Sequence, residues 1–130
     1  PYESPPENIY EDLIIFNSKK DRLVFKTLHL PYDTTSLIEE GNFKGLLKEL
    51  PKLDHCKNIW ALLDFDSEGE NYTAQIEAQS GGRIKGLSIP NNIWNFLKSV
   101  DVRNLDDVRV KLGALELRNM INKILPDSSQ

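Results

Sequence analysis

The chain has 130 residues, a formal net charge of −4, 39% hydrophobic and 28% charged residues, and one cysteine. That length and balance describe a soluble globular domain with a core of its own, and exclude a disordered, collagen-like or disulfide-stapled chain. No apolar run approaches the roughly 20 residues that span a bilayer, so no membrane role is expected. A lone Cys56 leaves no internal disulfide and points to a reducing compartment. The N-terminus shows neither the basic flank nor the apolar stretch of a leader. An intracellular location, cytoplasmic or nuclear, is therefore the expectation.

In chain order, Pro5 and Pro6 among acidic and polar residues make 1–11 an extended tail. Leu13 to Phe16 and Leu23 to Leu28 are apolar runs separated by Asn17-Ser18-Lys19-Lys20-Asp21, which predicts a β-hairpin ended by Pro31. Ser36 or a neighbouring threonine can cap a helix reaching Leu50, with Phe43, Leu46, Leu47 and Leu50 on one face and Pro51 as its stop. Gly41 and Gly45 weaken that helix. Ile59 to Leu63, the alternating Tyr72 to Ala78, and Ile84 to Ile89 after Ser80-Gly81-Gly82 predict a three-stranded meander. Pro90 suits the first turn of a second helix carrying Ile93, Phe96, Leu97 and Val100. Val108 to Leu112 alternates as a further strand. Ala114 to Leu125 follows Gly113 as a last helix, with Leu117, Ile121, Ile124 and Leu125 in its stripe. The order ββα-βββα-βα predicts a single α+β domain over 12–126, with a mainly antiparallel sheet of about six strands and about three helices, and a C-terminal tail over 127–130.

The segment richest in chemistry is Asp64-Phe65-Asp66-Ser67-Glu68-Gly69-Glu70, four carboxylates in seven residues. A calcium loop would need an apolar residue at its eighth position and a bidentate glutamate at its twelfth, and Asn71 and Gln75 stand there. Glycine among polar neighbours is ordinary turn chemistry, so the segment is expected to be the solvated tip of a hairpin. The same letters after an apolar strand resemble the acidic motif of Toprim domains in topoisomerases and primases. That resemblance implies magnesium held for phosphoryl transfer, with Asp64, Asp66 and Glu68 as the candidate ligands. It further implies a glutamate at the end of an earlier buried strand and a helix directly after the motif. In this chain the Glu3-Ser4-Pro5 triplet has no strand before it, and residues 72–78 alternate as a strand.

Other chemistry is sparse. His29, His55 and Cys56 complete no zinc set, and no nucleophile-elbow pattern is present. Ser80 to Gly86 lacks the strand, loop and helix order of a phosphate cradle. Nucleic acid is disfavoured as a partner because its dominant phosphate term needs a basic surface, although Arg83, Lys85, Arg109 and Lys111 can form a local patch. Both faces of the strand from Ile59 to Phe65 are apolar and need covering. The leading expectation is a non-catalytic protein–protein interaction domain without a cofactor: an adaptor, a subunit of a larger assembly, or an inhibitor or immunity-type partner. It would contact another protein through Trp60, Leu62, Gln75, Arg109 and Lys111. The alternative is a small magnesium-dependent phosphoryl-transfer enzyme of the Toprim kind, working through residues 64–70.

Overall fold

A computed structural model describes residues 10–37, 44–48 and 56–126. The first apolar run is a strand, β1 (Asp12–Phe16), whose last four residues have no exposed surface. The predicted hairpin partner is instead a helix, α1 (Lys19–Lys26). Ser18 is its cap, accepting a hydrogen bond from the Asp21 amide at 3.2 Å, and Val24, Phe25 and Leu28 follow at helical spacing into the core. Ser18→Ala should remove about 1 kcal/mol and lower the melting midpoint by roughly 4 °C. An unchanged thermal melt would show that the cap does not hold α1.

The remaining elements are β2 (Asp33–Ser36), α2 (Lys44–Lys48), β3 (Asn58–Leu62), α3 (Ser67–Gln79), β4 (Ile84–Gly86), α4 (Asn91–Ser99), α5 (Leu105–Leu112) and α6 (Ala114–Ile124). Among the described residues five helices have eight residues or more, and α2 is described over five. The four strands lie in the order β2-β1-β3-β4, and every pair is parallel. This overturns the expected antiparallel α+β domain of about six strands. The chain is an α/β sandwich with helices on both faces.

Three predicted strands are helices, and each carried a cap that outweighs its β-branched or alternating residues. Ser18 caps α1, Asp66 caps α3 and Asn104 caps α5, each accepting from the amide three residues on. The predicted start of a helix at Ser36 is the end of β2, and Ile84 to Ile89 is a strand only as far as Gly86. The strand at Ile59, the helix after Pro90 and the last helix stand as expected. The predicted tail before Tyr10, residues 38–43 and 49–50 of the predicted helix, His55 and the tail from 127 lie outside the described residues.

Parallel strands need a crossover of a dozen or more residues, and α1, α3 and the segment containing α2 supply them. Two layers of core result. Ile14, Phe16 and Leu62 pack with Val24, Phe25, Leu97, Leu105, Val108, Leu117 and Ile121 beneath α1, α4, α5 and α6. Leu13, Ile15, Ile59, Ala61 and Ile84 pack with Ile76 of α3 on the other face, where Leu47 of α2 also lies. The continuous apolar runs of β1 and β3 follow, because both faces of a parallel sheet are covered. Among the described residues no helix is long and apolar enough to cross a membrane.

Candidate functional site

The chain leaves β1 outward to β2, then returns to the other side of β1 as β3. Neighbouring crossovers therefore diverge between β1 and β3, and a crevice opens beyond the carboxyl ends of those strands. Phe16 pairs with Leu62 at the end of the ladder. Asn17 and Ser18 follow β1 at this end of the sheet, and Leu63 to Asp66 follow β3.

The acidic turn is built as one piece with the start of α3. Asp66 is extended, with φ −136° and ψ 177°, and its Oδ1 accepts from the Gly69 amide at 2.8 Å. Glu68 and Glu70 occupy the first helical turn, where negative charge complements the exposed amides. A Cβ on Gly69 would lie 2.1 Å from the Asp64 carbonyl oxygen and 2.7 Å from its carbon. Only glycine allows the helix to sit on the Asp64 backbone this closely. Across the crevice, the Phe65 amide donates to the Arg103 carbonyl at 2.5 Å, and the Arg103 amide donates to Asp107 at 3.1 Å, which ties the turn to the loop before α5.

Beside the turn lies a cleft of about 420 Å³, with Asp64, Glu70, Thr73, Glu77, Leu87 and Trp94 in its walls. Glu77 is held by the Gly86 amide at 2.6 Å. Among the described residues no lysine or arginine lines the cleft, and there a phosphate is repelled unless a cation accompanies it. Glu68 is turned away: it accepts from the Tyr72 hydroxyl at 3.2 Å, which raises the Tyr72 phenol above its ordinary value. Among the described residues no group of three or more His, Cys, Asp or Glu side chains is placed to hold a metal. Magnesium commonly takes only one or two carboxylates and completes its shell with water and phosphate oxygens. Asp64, in the cleft wall, and Asp66, the cap of α3, are the two carboxylates from which such a shell would be drawn; Glu68, held by Tyr72, makes no group of three with them.

No family model matches the chain, and no curated protein matches it. Solved structures do. The primase fragment of the bacteriophage T7 primase-helicase protein superposes with a TM-score of 0.65 at 14% identity, covering 88% of this chain and 44% of that one. The fold is Toprim-like. A second match, to an assembly of bacteriophage T7 lagging-strand DNA polymerase with primase domains bound to an RNA/DNA hybrid and dTTP, has a TM-score of 0.49 at 15% identity, covering 80% of this chain and 53% of that chain. The chain thus spans about half of the length of these solved chains.

Within the Toprim-like frame, the helix that the resemblance requires after the acidic motif is present as α3. The earlier buried strand is β1, and the residue that follows its last position, Phe16, is Asn17, 4% exposed, where the resemblance calls for glutamate. An amide can donate and accept hydrogen bonds but cannot take a proton. Asn17 is the residue here that the sequence reading leaves out, whereas Glu70 belongs to the four carboxylates of the acidic turn. Correct placement of α1 through its Ser18 cap would have set Asn17 at the end of β1.

The residues expected to meet a partner protein do not form one patch. Trp60 and Leu62 face the layer of α1, α4, α5 and α6, where Leu62 is buried and Trp60 is half-buried with an unpartnered indole N–H. Gln75 lies on α3, across the sheet. Arg109 and Lys111 are exposed on α5, bonded to Asp106 at 2.8 Å and to the Asp101 carbonyl at 2.8 Å. Arg83 donates to the Cys56 carbonyl, far along the sheet from α5. Burial is the main cause that raises the Cys56 thiol above its ordinary value, with Asp33 and Asp12 adding to it and Arg83 opposing. A buried protonated thiol is no nucleophile.

Proposed function

We propose that this chain is a Toprim-like domain that binds a phosphate-bearing substrate, a nucleotide or a nucleic-acid strand, through magnesium held by Asp64 and Asp66. The observation that carries this reading is the placement of the two aspartates at the carboxyl end of β3, at the point where the crossovers diverge, with α3 seated on the Asp64 backbone by Gly69. Magnesium there would supply charge neutralisation of phosphate oxygens and polarisation of the phosphorus centre. The protein's own part is positioning. The Gly69 amide fixes one oxygen of Asp66, and the Phe65–Arg103 bond holds the turn against the loop before α5. Leu62, Leu63 and Leu87 give the cleft a dry wall.

The likeness in fold to a primase fragment supports nucleic acid as the substrate class. The net charge of −4 does not oppose it, since the local field decides binding. Lys20 and Arg103, 74% and 65% exposed, stand at the crevice end of the molecule, and Lys20 pairs with Asp106 at 3.6 Å.

Calorimetric titration with manganese or magnesium, alone and with a nucleoside triphosphate, tests the reading. Saturable metal binding that tightens with the nucleotide and disappears in Asp64→Asn is expected. Heats that are flat for metal and nucleotide together would overturn it.

Asn17 favours a second reading, in which the Toprim-like domain binds but does not catalyse and serves as a subunit beside another protein, with the exposed Arg109 and Lys111 of α5 at the contact. Metal and nucleotide binding without any phosphoester turnover, unchanged in Asn17→Ala, separates it from the enzyme reading.

A further inference from the structure

The segment 101–107 joins α4 to the first turn of α5 and is fixed along its length. Asp101 turns the chain at a φ of 55°, in the left-handed region that aspartate tolerates better than most residues, and its carbonyl accepts from Lys111 Nζ at 2.8 Å. Val102 and Leu105 are each 1% exposed. The Asp107 amide donates to the Asn104 side chain at 2.9 Å and the Asp106 amide donates to Asp21 Oδ1 at 3.1 Å, which ties the segment to α1. Arg103 is held on both sides of its backbone: its amide donates to Asp107 Oδ2 at 3.1 Å, and its carbonyl accepts from the Phe65 amide at 2.5 Å. Phe65 stands between Asp64 and Asp66 in the chain. Arg103 is therefore one hydrogen bond from the middle of the acidic turn, outside the walls of the cleft.

Its side chain is held far less firmly than its backbone. It is 65% exposed, and its Nε stands 3.6 Å from a carboxylate oxygen of Asp101, whose side chain is 78% exposed. A pair so open to water contributes little and is readily given up. The neighbouring cations are more committed. Arg109 bonds Asp106 at 2.8 Å, Lys111 bonds the Asp101 carbonyl, and Lys20 stands 3.6 Å from the same Asp106, whose side chain is 17% exposed. Charge accounting at the turn gives this arginine a task. A divalent ion on Asp64 and Asp66 is neutralised by the two carboxylates, so the negative charge of a phosphate on that ion is balanced by a further cation.

We propose that Arg103 grips the phosphate carried by a metal at Asp64 and Asp66. A guanidinium presents parallel N–H donors to two phosphate oxygens, a match of shape and charge that an ammonium lacks. Because the backbone is already pinned, binding orders one side chain and no loop, which keeps its entropic cost small. The inference rests on the metal reading of the acidic turn and names the side chain that would recognise the phosphate there.

Calorimetric titration with manganese, first alone and then with a nucleoside triphosphate, tests it on the parent, Arg103→Ala, Arg103→Lys and Lys20→Ala. In Arg103→Ala the metal alone should bind as it does to the parent, while the triphosphate should bind the metal-loaded chain about tenfold to a hundredfold more weakly, the scale of a hydrogen-bonded charge. Arg103→Lys should recover part of that loss, and Lys20→Ala should lose less. The melting midpoints of both Arg103 variants should stay within a degree or two of the parent, since the bonds that pin the segment use the Arg103 backbone. Undiminished triphosphate binding in Arg103→Ala overturns the proposal and leaves the metal site standing. Equal weakening in Lys20→Ala overturns it as well, by reducing the effect to general charge attraction, as does a loss of metal binding in Arg103→Ala, which would make the residue a support of the turn. A parent chain that binds neither metal nor triphosphate removes this proposal together with the metal reading.

Discussion

Gly69→Ala should destabilise the chain by about 3 kcal/mol or more and lower its melting midpoint by roughly 10 °C. The added Cβ would meet the Asp64 carbonyl oxygen at 2.1 Å, a backbone atom that no rotamer change can move aside. Either α3 lifts or the strand end shifts, and both displace Asp64 from Asp66. Metal binding at the crevice should therefore fall together with stability. Gly81→Ala is the comparison: it has open space around it and meets only the strain of its φ of +66°. A Gly69→Ala protein that melts within a degree or two of the parent would mean that α3 does not rest on Asp64.

Ile121→Ala should cost about 2 to 5 kcal/mol, the range for deleting a fully buried branched side chain and leaving a cavity. Ile121 has no exposed surface and joins Leu117, Val108 and Leu97 under the sheet, so the loss is felt by three helices at once. Leu115, 70% exposed one turn and a half earlier in the same helix, should tolerate alanine within about 0.5 kcal/mol. Equal melting midpoints for the two variants would place the face of α6 wrongly.

The elements legible in the sequence were those whose local signal and tertiary role agree. The runs at Leu13 and Ile59 are strands, and the stripe of Leu117, Ile121 and Ile124 is buried as its spacing indicates. The failures share one cause. Alternation in Tyr72 to Ala78 and in Val108 to Leu112 reads as strand, whereas the caps at Asp66 and Asn104 decide for helix: Ile76 is the fully buried residue of the first segment and Val110 is 66% exposed in the second. Once α1, α3 and α5 are taken as strands, hairpins follow and the parallel order is lost. The site suffered in the same way. Asp64 and Asp66 were recognisable by their spacing, but Asn17 was assigned to a hairpin turn, and its place beside the acidic turn exists only when β1 pairs with β3. Glu68 and Glu70 are two residues apart in a helix and so face different directions, which no strand reading could separate.

The strand order has a consequence for how the molecule reaches its native state. β1, the first strand among the described residues, is an interior strand, and its partner β3 begins 46 residues later, as the Asp12–Asn58 bond at 2.8 Å marks. Each pairing must wait for a crossover to form, and the loop entropy is spent before any ladder bond repays it. Refolding should therefore be limited by bringing β1 and β3 together, on the slow side of the millisecond scale for a chain of this size, and substitutions at the β1–β3 contact should slow folding more than they speed unfolding. During synthesis the β1–β3 ladder cannot close until residue 62 has left the ribosome, so until then β1 keeps its four core side chains without their β3 cover, a segment for a chaperone to hold.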